Sequence, residues 1–593
     1  MLHILAYYCI IFIYNKFDNK EVKDMALYLK RTPQYGRIYL SIVDSVYDSK
    51  IKNVRQKTFK SLGYLDELEK KYVDPIAHFQ EWIKEENERR KNSLSNPIPE
   101  GEKKLINLGY FPLKKLYNEL DLKKYFDAII YMSRKNVRYS LSEIFEFLVY
   151  SRVLNPNSKL ESYDSMYNSF YHDFNFTKDQ MYDAIFALGS NNADVAAFEI
   201  LRRKFGEKYR SNTKKVYFDC TNFYFEIDKP HDYMQKGPCK SNTNQPIIGL
   251  ALLLDADKIP IDYKMYSGNE SEYPLYKDVI KEMKDKHNIN GKIIRIADKG
   301  LNSGDNIKET YLDGDGYIFS ESVRGSSEEV KKWIKDPNGY IDILDKDKKE
   351  VIAKYKVRID DFDKIKVKTV DDKDKDVEIP QIQIAYWSRS YAEKTKYERD
   401  RALSKLEKRI KTSSGYKKEL YGHTSKYVKE TLYDDLGQEL DADKERSIDY
   451  EKVIEDSELD GFNLFVSIEI KAPPLEIVEA YRALWQIEDS FKVLKTTLET
   501  RPIYHSKMEA IRGYFLICMS ALFLLRVIEV KKMKNKIPLT SLVDSLRKYQ
   551  AFKLSNKEYL LTYIDDNLKL MSQNYGIKLN QFTKNADEIK KLF

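Results

Sequence analysis

Cysteine is scarce in this chain, which has four among its 593 residues, at positions 9, 220, 239 and 518. No two of them are spaced as a CxxC pair, the arrangement that zinc ribbons and redox-active sites use. Cys220, His231 and Cys239 also lack a recognised metal-ligand spacing. These absences argue against a disulfide framework and a zinc site, and they favour a reducing cytoplasm.

Neither of the two dense apolar runs is predicted to span a bilayer. Residues 1–14, MLHILAYYCIIFIY, are apolar but shorter than the ~20 residues that a membrane helix needs, and they have no cationic start and no small-residue cleavage site. Met25 begins a segment that looks like a more natural start, so residues 1–24 are interpreted as a candidate non-native upstream extension. The apolar run at 514–527 is bounded by arginines and predicts a buried core helix.

Neither sign of charge dominates the composition. Lysine and arginine total 101 and aspartate and glutamate total 93, so the formal net charge of +8 is the small difference of two large numbers. A uniform basic coat that would hold nucleic acid everywhere is therefore excluded. Any DNA-binding surface has to be local.

The most informative segment that is present runs from Pro474 to Thr500. It reads PLEIVEAYRALWQIEDSFKVLKTTLET, and nothing before Pro502 breaks a helix, so it predicts ~7 turns of one α-helix. At ~100° per residue, its apolar positions fall within one arc. That arc is the predicted buried face, made of Ala483, Leu484, Ile487, Phe491, Leu494 and Leu498.

Charged and aromatic residues lie along the edge of that face. Tyr481, Glu488 and Lys495 are seven residues apart, so they point the same way, with Trp485 and Lys492 beside them. The simpler interpretation is a half-exposed helix with Glu–Lys pairs on its rim. A functional interpretation depends on other carboxylates upstream that could meet Glu488.

Residues 213–322 have the pattern of an α/β core. The strand-like segments VYFDCTNFYFEI and PIIGLALLLDADKIPIDYKMYSG, the second as two strands, precede a helix at 272–286, the strand GKIIRIAD, a helix at 302–310 and the strand GYIFSES. The predicted order is β-β-β-α-β-α-β. Asp219 lies in the middle of the first strand, and Asp298 lies at the carboxyl end of the fourth.

The whole chain is predicted to be an α/β multidomain protein that divides by composition and periodicity. The predicted regions are the extension 1–24, a small β plus helix region 25–102, an all-α region 103–212 expected to bind DNA, the first part of the core 213–322, a mostly β insertion 323–472, the second part of the core with the glutamate helix 473–532, and a lysine-rich helical tail 533–593.

Three carboxylates, on Asp219, Asp298 and Glu488, could be brought within ~5 Å of one point by such a fold. Hard divalent cations prefer oxygen ligands, and two Mg²⁺ ions ~4 Å apart stabilise the entering and leaving oxygens of a phosphoryl transfer. Each aspartate alone has a simpler interpretation, as a residue that caps a turn at a strand end. Together with the strand order and the helix, the three favour phosphodiester chemistry.

Other acidic residues compete less well for the site. Asp489 is the alternative third ligand, but it lies ~100° from Glu488 around the helix, toward solvent. The remaining acidic residues near the core strands are interpreted as surface or turn residues: Glu226, Asp228, Asp255 and the DGDG at 313–316, which is too short for an EF-hand loop.

Four segments carry a family resemblance: YFDCTNFYFE around Asp219, QPIIGLALLLDADKIPIDYKMYSGN, IIRIADKGLNSGDN around Asp298, and YRALWQIEDSFKVLKTTLETRPIYH around Glu488. They resemble the DDE transposases of bacterial insertion sequences, in the insertion-sequence-four-like superfamily and most of all its sixteen-thirty-four branch. The likeness covers roughly residues 25–530.

The last of these segments is the most specific. The family signature is Tyr, two residues, Arg, three residues, Glu, six residues, Lys, and Tyr481, Glu488 and Lys495 match it. Leu484 occupies the arginine position, so one phosphate contact of the family is in question here. The neighbouring Arg482 is the candidate to replace it.

The resemblance implies an RNase H-like core interrupted by a β insertion, two Mg²⁺ ions that Mn²⁺ can replace, and a homodimer in a synaptic complex with transposon-end and target DNA. No membrane partner is implied, and the expected location is cytoplasmic, associated with the nucleoid when DNA is bound. The implied catalytic and metal-binding residues are Asp219, Asp298 and Glu488, and the implied DNA-binding residues are Tyr481, Arg482, Lys492 and Lys495.

The predicted activity is hydrolysis of the phosphodiester at a transposon end, followed by attack of the freed 3′-OH on target DNA. Two alternatives stay open: an RNase H-like nuclease that only cuts, and an inactive transposase derivative that binds terminal repeats. A strand-transfer assay separates the first alternative from a transposase. The intact carboxylate triad counts against the second.

Overall fold

The computed structural model describes residues 27–48, 53–95, 105–133, 139–167, 169–226, 229–237, 245–270, 272–286, 292–297, 304–345, 347, 349–368, 374–412, 422–433, 443–554, 558–579 and 583–593. The candidate extension 1–24 lies outside these residues. The chain divides into two compact units. The first unit comprises Met1–Ile106, Gln550–Tyr563 and Gln581–Leu592, and the second comprises Asn107–Tyr549, Ile564–Asn580 and Phe593.

Helices dominate the first third of the second unit and recur throughout the chain. In chain order the α-helices of the described residues are α1 (Leu65–Leu68), α2 (Pro75–Ser95), α3 (Phe111–Glu119), α4 (Lys123–Ser133), α5 (Leu141–Leu154), α6 (Lys159–Met166), α7 (Lys178–Gly189), α8 (Ala193–Tyr209), α9 (Glu272–Lys286), α10 (Gly304–Leu312), α11 (Glu328–Lys335), α12 (Arg389–Thr412), α13 (Tyr450–Ser457), α14 (Pro474–Arg482), α15 (Trp485–Lys492), α16 (Met508–Val527), α17 (Leu539–Lys548), α18 (Asp566–Tyr575) and α19 (Ala586–Lys590).

The strands belong to four sheets. In chain order they are β1 (Leu27–Gln34), β2 (Arg37–Asp48), β3 (Asn53–Tyr64), β4 (Leu105–Asn107), β5 (Lys215–Tyr224), β6 (Ile247–Leu254), β7 (Pro260–Ser267), β8 (Ile294–Ile296), β9 (Gly316–Glu321), β10 (Ile341–Leu344), β11 (Val351–Lys368), β12 (Asp374–Ser388), β13 (Val428–Tyr433), β14 (Asp443–Ile448), β15 (Phe462–Ser467), β16 (Gln550–Lys553), β17 (Glu558–Leu561) and β18 (Thr583–Asn585).

The first unit begins with an antiparallel sheet in the order β1-β2-β3, with α2 packed on β1. Leu27, Ile42 and Ile83 form its small buried core. The alternation of residues 36–64 predicts two strands, which correspond to β2 and β3, and residues 75–91 predict the helix, but the sequence misses β1. That strand pairs only with β2 and buries only Leu27 fully, so its sequence LYLKRTPQ has little of the alternation that marks a half-buried strand.

The tail of the chain is only partly helical, so the prediction of a helical tail over 533–593 is wrong. It contains α17, α18 and α19, but also β16, β17 and β18, which form a four-stranded sheet with β4 in the order β18-β17-β16-β4. These strands have three or four residues each. Strands that short give almost no period-2 signal, and the abundance of lysine is compatible with a helix.

The second unit is organised on a nine-stranded sheet in the order β10-β11-β12-β15-β9-β8-β5-β6-β7. β5 is antiparallel to β6 and parallel to β8, and β8 is parallel to β9. The predicted chain order β-β-β-α-β-α-β is confirmed as β5, β6, β7, α9, β8, α10 and β9. All eight residues of β6 are buried, which explains why IIGLALLL is a continuous apolar run.

The segment 323–472 continues this sheet at one side. β10, β11, β12 and β15 pair in succession next to β9, and β13 pairs with β14 in a separate hairpin. The segment also contains α11, α12 and α13. β15 is antiparallel to β9 and leads, through residues 468–473, directly into α14.

Four helices of the region before residue 212, α3, α5, α7 and α8, pack against α16. Gly189 of α7 and Gly513 of α16 allow the backbones to touch, since a Cβ added to Gly513 would lie 1.9 Å from the carbonyl oxygen of Ile185. Among the described residues, one helical stretch is long and apolar enough to cross a bilayer, and 94% of its apolar window is buried inside the fold. The predicted buried core helix at 514–527 is therefore confirmed.

Candidate active site

Asp219 lies in the middle of β5, on the face of the sheet opposite to the α9 layer. Successive strand residues point to opposite faces, and Phe218 and Cys220 belong to a buried cluster with Tyr276 of α9. On the other face, the ring of Phe223 packs edge-on against Phe515 of α16, with centroids 5.2 Å apart. Asp219 shares this second face, because it lies four residues before Phe223.

The carboxylate of Asp219 is half-buried, and one of its oxygens accepts a hydrogen bond of 2.8 Å from the backbone N–H of Cys220. This bond holds the carboxylate close to its own strand. The helix that bears Glu488, α15, contacts both β5 and β6. The structure therefore places the helix of the predicted glutamate on the strand of the first predicted aspartate.

The predicted single helix over 474–500 is instead three helical pieces, α14, α15 and a π-helical turn at Val493–Thr497. Between α14 and α15 the chain tightens, with hydrogen bonds from Leu484 N–H to Tyr481 and from Ile487 N–H to Leu484, each three residues back. No proline or glycine marks this change. The change of helix type occurs at Leu484, whose side chain is packed in the interior and only 6% exposed.

The predicted apolar face of this segment is largely confirmed. Leu484, Ile487, Phe491, Leu494 and Leu498 are buried, and Ala483 is half-buried. Glu488 and Lys492 are exposed, as their predicted position at the edge requires. The 3.6-residue period therefore survives the local changes of helix type.

Lys495 contacts the same face of β5 as Asp219. Its ammonium donates a hydrogen bond to the hydroxyl of Thr221 and lies 5.5 Å from the centroid of the Phe223 ring. The side chain is half-buried rather than a solvated rim charge. Thr221 and Asp219 are two residues apart on one strand, so this cation lies on the carboxylate side of the sheet.

Tyr481 reaches a different strand. Its hydroxyl is 2.7 Å from the hydroxyl of Ser320 in β9, and its ring packs 4.9 Å from that of Phe465 in β15. Because β8 lies between β9 and β5, the glutamate segment crosses from β9 at Tyr481 to β5 at Lys495. Glu488 lies midway between Tyr481 and Lys495 on this segment.

Arg482 is exposed, and its guanidinium stacks 4.4 Å from the centroid of the Tyr386 ring in β12. Leu484, which occupies the family's arginine position, is buried and cannot present a group to a ligand. Arg482 therefore remains the exposed arginine of this stretch. It lies on the β12 side of the segment, away from Lys495 on β5.

Asp489 has a structural partner, so the prediction that it points toward solvent is wrong. Its carboxylate accepts a hydrogen bond of 2.7 Å from Arg526, which is 2% exposed and also bonds Glu529 at 2.6 Å and the hydroxyl of Ser490 at 3.0 Å. This network fixes α15 to α16. The predicted choice of Glu488 over Asp489 as a ligand is compatible with this arrangement, since Asp489 neutralises a buried guanidinium.

Asp298 lies outside the described residues. Ile296, two residues before it, is the last residue of β8 and pairs in parallel register with Tyr217, two residues before Asp219. Within the described part of the chain, no group of three or more His, Cys, Asp or Glu side chains has the arrangement of a metal site.

Other acidic residues considered at the start have structural roles. Asp255 is buried in the β6–β7 turn and accepts hydrogen bonds from the N–H groups of Asp257 and Ile259, each 2.9 Å long, and its burial raises its pKa to about 6. Asp313 and Asp315, in the DGDG turn, both pair with Arg295, which is 1% exposed. The prediction that these are turn residues is confirmed, while Asp228 lies outside the described residues.

Comparison with known families decides the class of protein. The family model described as "IS1634 family transposase, N-terminal domain" matches residues 29–98, and that described as "Transposase DDE domain" matches residues 225–524, half of the chain.

The chain is a DDE transposase of the IS1634 family.

The matched DDE region of the transposase includes Asp298 and Glu488 and begins six residues after Asp219. None of the curated proteins matches the transposase. Among solved structures, the search finds the "piggyBac transposase synaptic complex with hairpin DNA", with 10% identity, a TM-score of 0.36, and coverage of 82% of this chain and 85% of that one. It also finds a "pre-cleavage Mos1 transpososome", with 10% identity, a TM-score of 0.14, and coverage of 31% and 60%.

A DDE domain implies the use of a divalent metal ion. The donor set of the transposase fits such an ion, because Asp219 and Glu488 offer carboxylate oxygens and hard cations prefer oxygen ligands. The two residues lie on elements that contact each other, β5 and α15.

The residues that sequence reasoning missed are those that hold the site in place. Thr221 accepts a hydrogen bond from Lys495, and the hydroxyls of Ser320 and Tyr481 bond each other. Arg526 donates a hydrogen bond to Asp489. The sequence does indicate Thr221, because it lies two residues after Asp219 and therefore on the same face of the strand. No comparable signal marks Ser320 or Arg526, because their partners are 161 and 37 residues away in the chain.

Proposed function

We propose that this transposase cuts the phosphodiester at the ends of its element and joins the freed 3′-OH to target DNA, with Mg²⁺ as the metal ion. The observation that carries the proposal is the contact between β5 and the glutamate segment, which puts Lys495 on Thr221, two residues from Asp219. A lysine on a solvated helix rim would keep its ammonium in water, whereas this one lies on the carboxylate side of the sheet.

The sheet supports an RNase H-like core. In β7-β6-β5-β8-β9, an antiparallel trio of strands is followed by two strands parallel to β5. We infer that Asp219 and Asp298 come together at adjacent strands, because neighbouring strands are ~4.8 Å apart and the register pairs Tyr217 with Ile296. Glu488 would approach from the helix layer on the same side as Asp219.

Asp219, Asp298 and Glu488 would hold the metal ions. Two divalent ions, when bound, stabilise the charge on the attacking and leaving oxygens of an in-line displacement at phosphorus. The protein itself supplies position: the Cys220 N–H orients Asp219, and the Arg526–Asp489 bond fixes the rotation of α15 and so the direction of Glu488.

The cations of the glutamate segment would hold the DNA backbone. Lys492 is exposed one turn after Glu488, and Arg482 is exposed beside Tyr386. Tyr481 is tied to Ser320, so in this proposal it supports the segment, and its ring is less available to DNA. We further propose that the helices between 103 and 212 add DNA contacts and that two copies assemble on paired ends.

The test is a pair of neighbouring substitutions, assayed on DNA that carries the ends of the element. Glu488→Gln should abolish Mg²⁺-dependent cleavage and leave the melting temperature unchanged, because the side chain is exposed and amides bind divalent cations weakly. Asp489→Asn should lower the melting temperature, since it weakens the bond to buried Arg526, and it should retain cleavage at a reduced rate, because α15 then orients Glu488 less firmly.

The reverse pattern, with cleavage retained by Glu488→Gln and lost by a folded Asp489→Asn, would refute the assignment. Supplying a pre-cut end tests the second step. A protein that cuts ends but never joins them to target DNA is the nuclease alternative, and one that binds ends without cutting under any metal is the inactive alternative.

A further inference from the structure

A pocket of about 210 Å³ lies beside the end of the glutamate segment, within the second unit. Basic side chains contribute much of its lining: Arg152 at the end of α5, Lys159 at the start of α6, and Arg501 and His505 after the glutamate segment. Tyr182 and Tyr504 also line it and are exposed. The activity described above uses none of these residues.

Two of the cations are buried and have no acidic partner among the described residues. Arg152 is 4% exposed and Lys159 is 6% exposed. Arg152 donates hydrogen bonds to the backbone oxygens of Leu498, 3.2 Å away, and Asn157, 3.1 Å away, but its buried Nε has no partner. No hydrogen bond or ion pair of the Lys159 ammonium is found within the described part of the chain.

Aromatic packing compensates these charges only in part. The Arg152 guanidinium and the Lys159 ammonium lie 5.2 and 5.0 Å from the centroid of the same Tyr514 ring. A cation–π contact offsets a small part of the cost of removing a charge from water, and two like charges against one ring also repel each other. Burial and the neighbouring Arg152 lower the pKa of Lys159 well below its usual range, and an anion bound beside the ammonium would favour its charged form.

The remaining surroundings favour an anion as well. Burial and the nearby charges of Lys159 and Arg152 lower the pKa of His505 to about 4, which indicates a positive potential at this side of the pocket although the ring itself is neutral at pH 7. The pocket lies at the amino-terminal end of α6, where the helix dipole is positive. Glu499 is the acidic residue in the lining, and its side chain is exposed to solvent.

The pocket is close to the candidate active site along the sheet. The N–H of Ile503 donates to the carbonyl oxygen of Tyr224, 3.4 Å away, and Arg501 lies 5.9 Å from the centroid of the Tyr224 ring. Tyr224 is five residues after Asp219 on β5, a distance of ~16 Å along a strand. A DNA strand held at Asp219 can therefore reach the pocket within a few nucleotides.

We propose that this pocket binds a phosphate group of the DNA strand, with Arg152 and Lys159 as the principal ligands. The exposed rings of Tyr504 and Tyr182, 68% and 43% accessible, suit stacking of the adjoining base. This inference rests on the proposed function in one respect only, namely that the bound strand belongs to the DNA of a transposon end. It does not depend on the metal chemistry.

The test measures binding without metal. Wild-type protein and variants are titrated in EDTA with a fluorescent single-stranded oligonucleotide, with and without a 5′-phosphate, and their melting temperatures are measured with and without inorganic phosphate. Lys159→Met should weaken oligonucleotide binding by about tenfold, since a hydrogen bond between charged groups is lost. Its melting temperature should equal or exceed that of the wild type, because an unpaired buried charge is removed.

Three controls make the result specific. Lys159→Arg keeps the charge and should bind like the wild type. Lys452→Met removes an exposed lysine of α13, outside the pocket and outside residues 103–212, and should also bind like the wild type. Tyr504→Ala, at an exposed side chain that the fold does not need, should bind several-fold more weakly.

The two oligonucleotides separate the sources of the phosphate. An equal loss on both assigns the pocket to an internal phosphodiester, and a loss confined to the phosphorylated one assigns it to a strand terminus. Unchanged binding of both oligonucleotides by Lys159→Met overturns the proposal, and if inorganic phosphate still stabilises the wild type, the pocket takes a free anion instead. A loss in Lys159→Arg as large as in Lys159→Met would also overturn it, because packing would then explain the effect.

Discussion

The ammonium of Lys495 donates a hydrogen bond to the hydroxyl of Thr221, which lies two residues from Asp219 on the same face of β5. The contact joins the end of the glutamate segment to the central strand of the sheet. Lys495 is therefore both a structural link and a positive charge on the carboxylate side of the site. Variants at this residue should affect stability and DNA binding together.

Lys495→Ala should weaken binding to a cleaved transposon end and reduce the slope of log K against log salt by about one unit, because one phosphate contact is removed. A lysine on a solvated rim, the simpler interpretation of the sequence, would leave the melting temperature almost unchanged on substitution. The contact with Thr221 changes that expectation to a loss of ~1 kcal/mol in the free energy of unfolding.

Lys492→Ala is the matched control, because Lys492 is exposed and precedes Lys495 on the same segment. It should change the salt slope without changing the free energy of unfolding. A Lys495→Ala protein whose salt slope and cleavage activity equal those of the wild type would show that Lys495 has a structural role only.

The stability of the transposase should fall in mild acid because of His505. Burial and the charges of Lys159 and Arg152 lower its pKa from about 6.5 to about 4 in the folded state. The unfolded chain therefore takes up a proton as the pH falls through 6.5, while the folded chain does not until about pH 4, and the free energy of unfolding decreases over this interval.

His505→Gln removes that contribution. Between pH 7 and pH 5, the wild type should lose up to ~2 kcal/mol more of its free energy of unfolding than the variant does. Chemical denaturation at the two pH values measures the difference. Equal losses in both proteins would mean that His505 titrates normally in the folded state.

The crossing of α7 and α16 should not tolerate a methyl group. Gly513→Ala would place a Cβ 1.9 Å from the backbone carbonyl oxygen of Ile185, which cannot move without displacing α7. We expect a loss of ~3 kcal/mol or more in the free energy of unfolding, the range of severe overpacking in a core.

Gly206 provides the control, since it also lies in a helix, α8, but its added Cβ would meet only the Ser211 hydroxyl at 3.6 Å. Gly206→Ala should be neutral or stabilise the protein by up to ~1 kcal/mol, because alanine favours a helix. If thermal denaturation shows equal effects for the two substitutions, the close approach of α7 and α16 is not as described.

The central sheet could be predicted from the sequence because its strands obey simple periods. VYFDCTNFYFEI and IIGLALLL are long enough to show alternation or continuous burial, and each is bounded by turn residues. The strands β16, β17 and β18 have too few residues for such a period. β1 is missed because a single fully buried side chain, Leu27, carries no pattern.

The site was predictable where chemistry dictates residue type, and unpredictable where tertiary contacts do. The spacing of Tyr481, Glu488 and Lys495 follows from the helix period, but the strands that Tyr481 and Lys495 contact do not. The contacts of Ser320, Thr221 and Arg526 join elements far apart in the chain. The tightening of the helix at Leu484 likewise follows from packing and has no sequence signal.

The buried cations of the pocket show the same limit. Arg152 and Lys159 lie in segments that predict ordinary helices. The chain has 101 lysines and arginines, and nothing in the sequence distinguishes these two from the other 99. Only burial without an acidic partner distinguishes them. That property depends on the fold of the residues between 152 and 514.

The most direct test of the account is iron-mediated cleavage of the protein itself. Fe²⁺ that replaces Mg²⁺ at a carboxylate site generates radicals, with ascorbate and peroxide, that cut the backbone next to the metal. The account predicts cuts at three separate segments, around residues 219, 298 and 488, all suppressed by excess Mg²⁺ and all lost in Asp219→Asn. Cuts that omit any of the three segments, or that persist at 298 and 488 in Asp219→Asn, would contradict a single shared metal site.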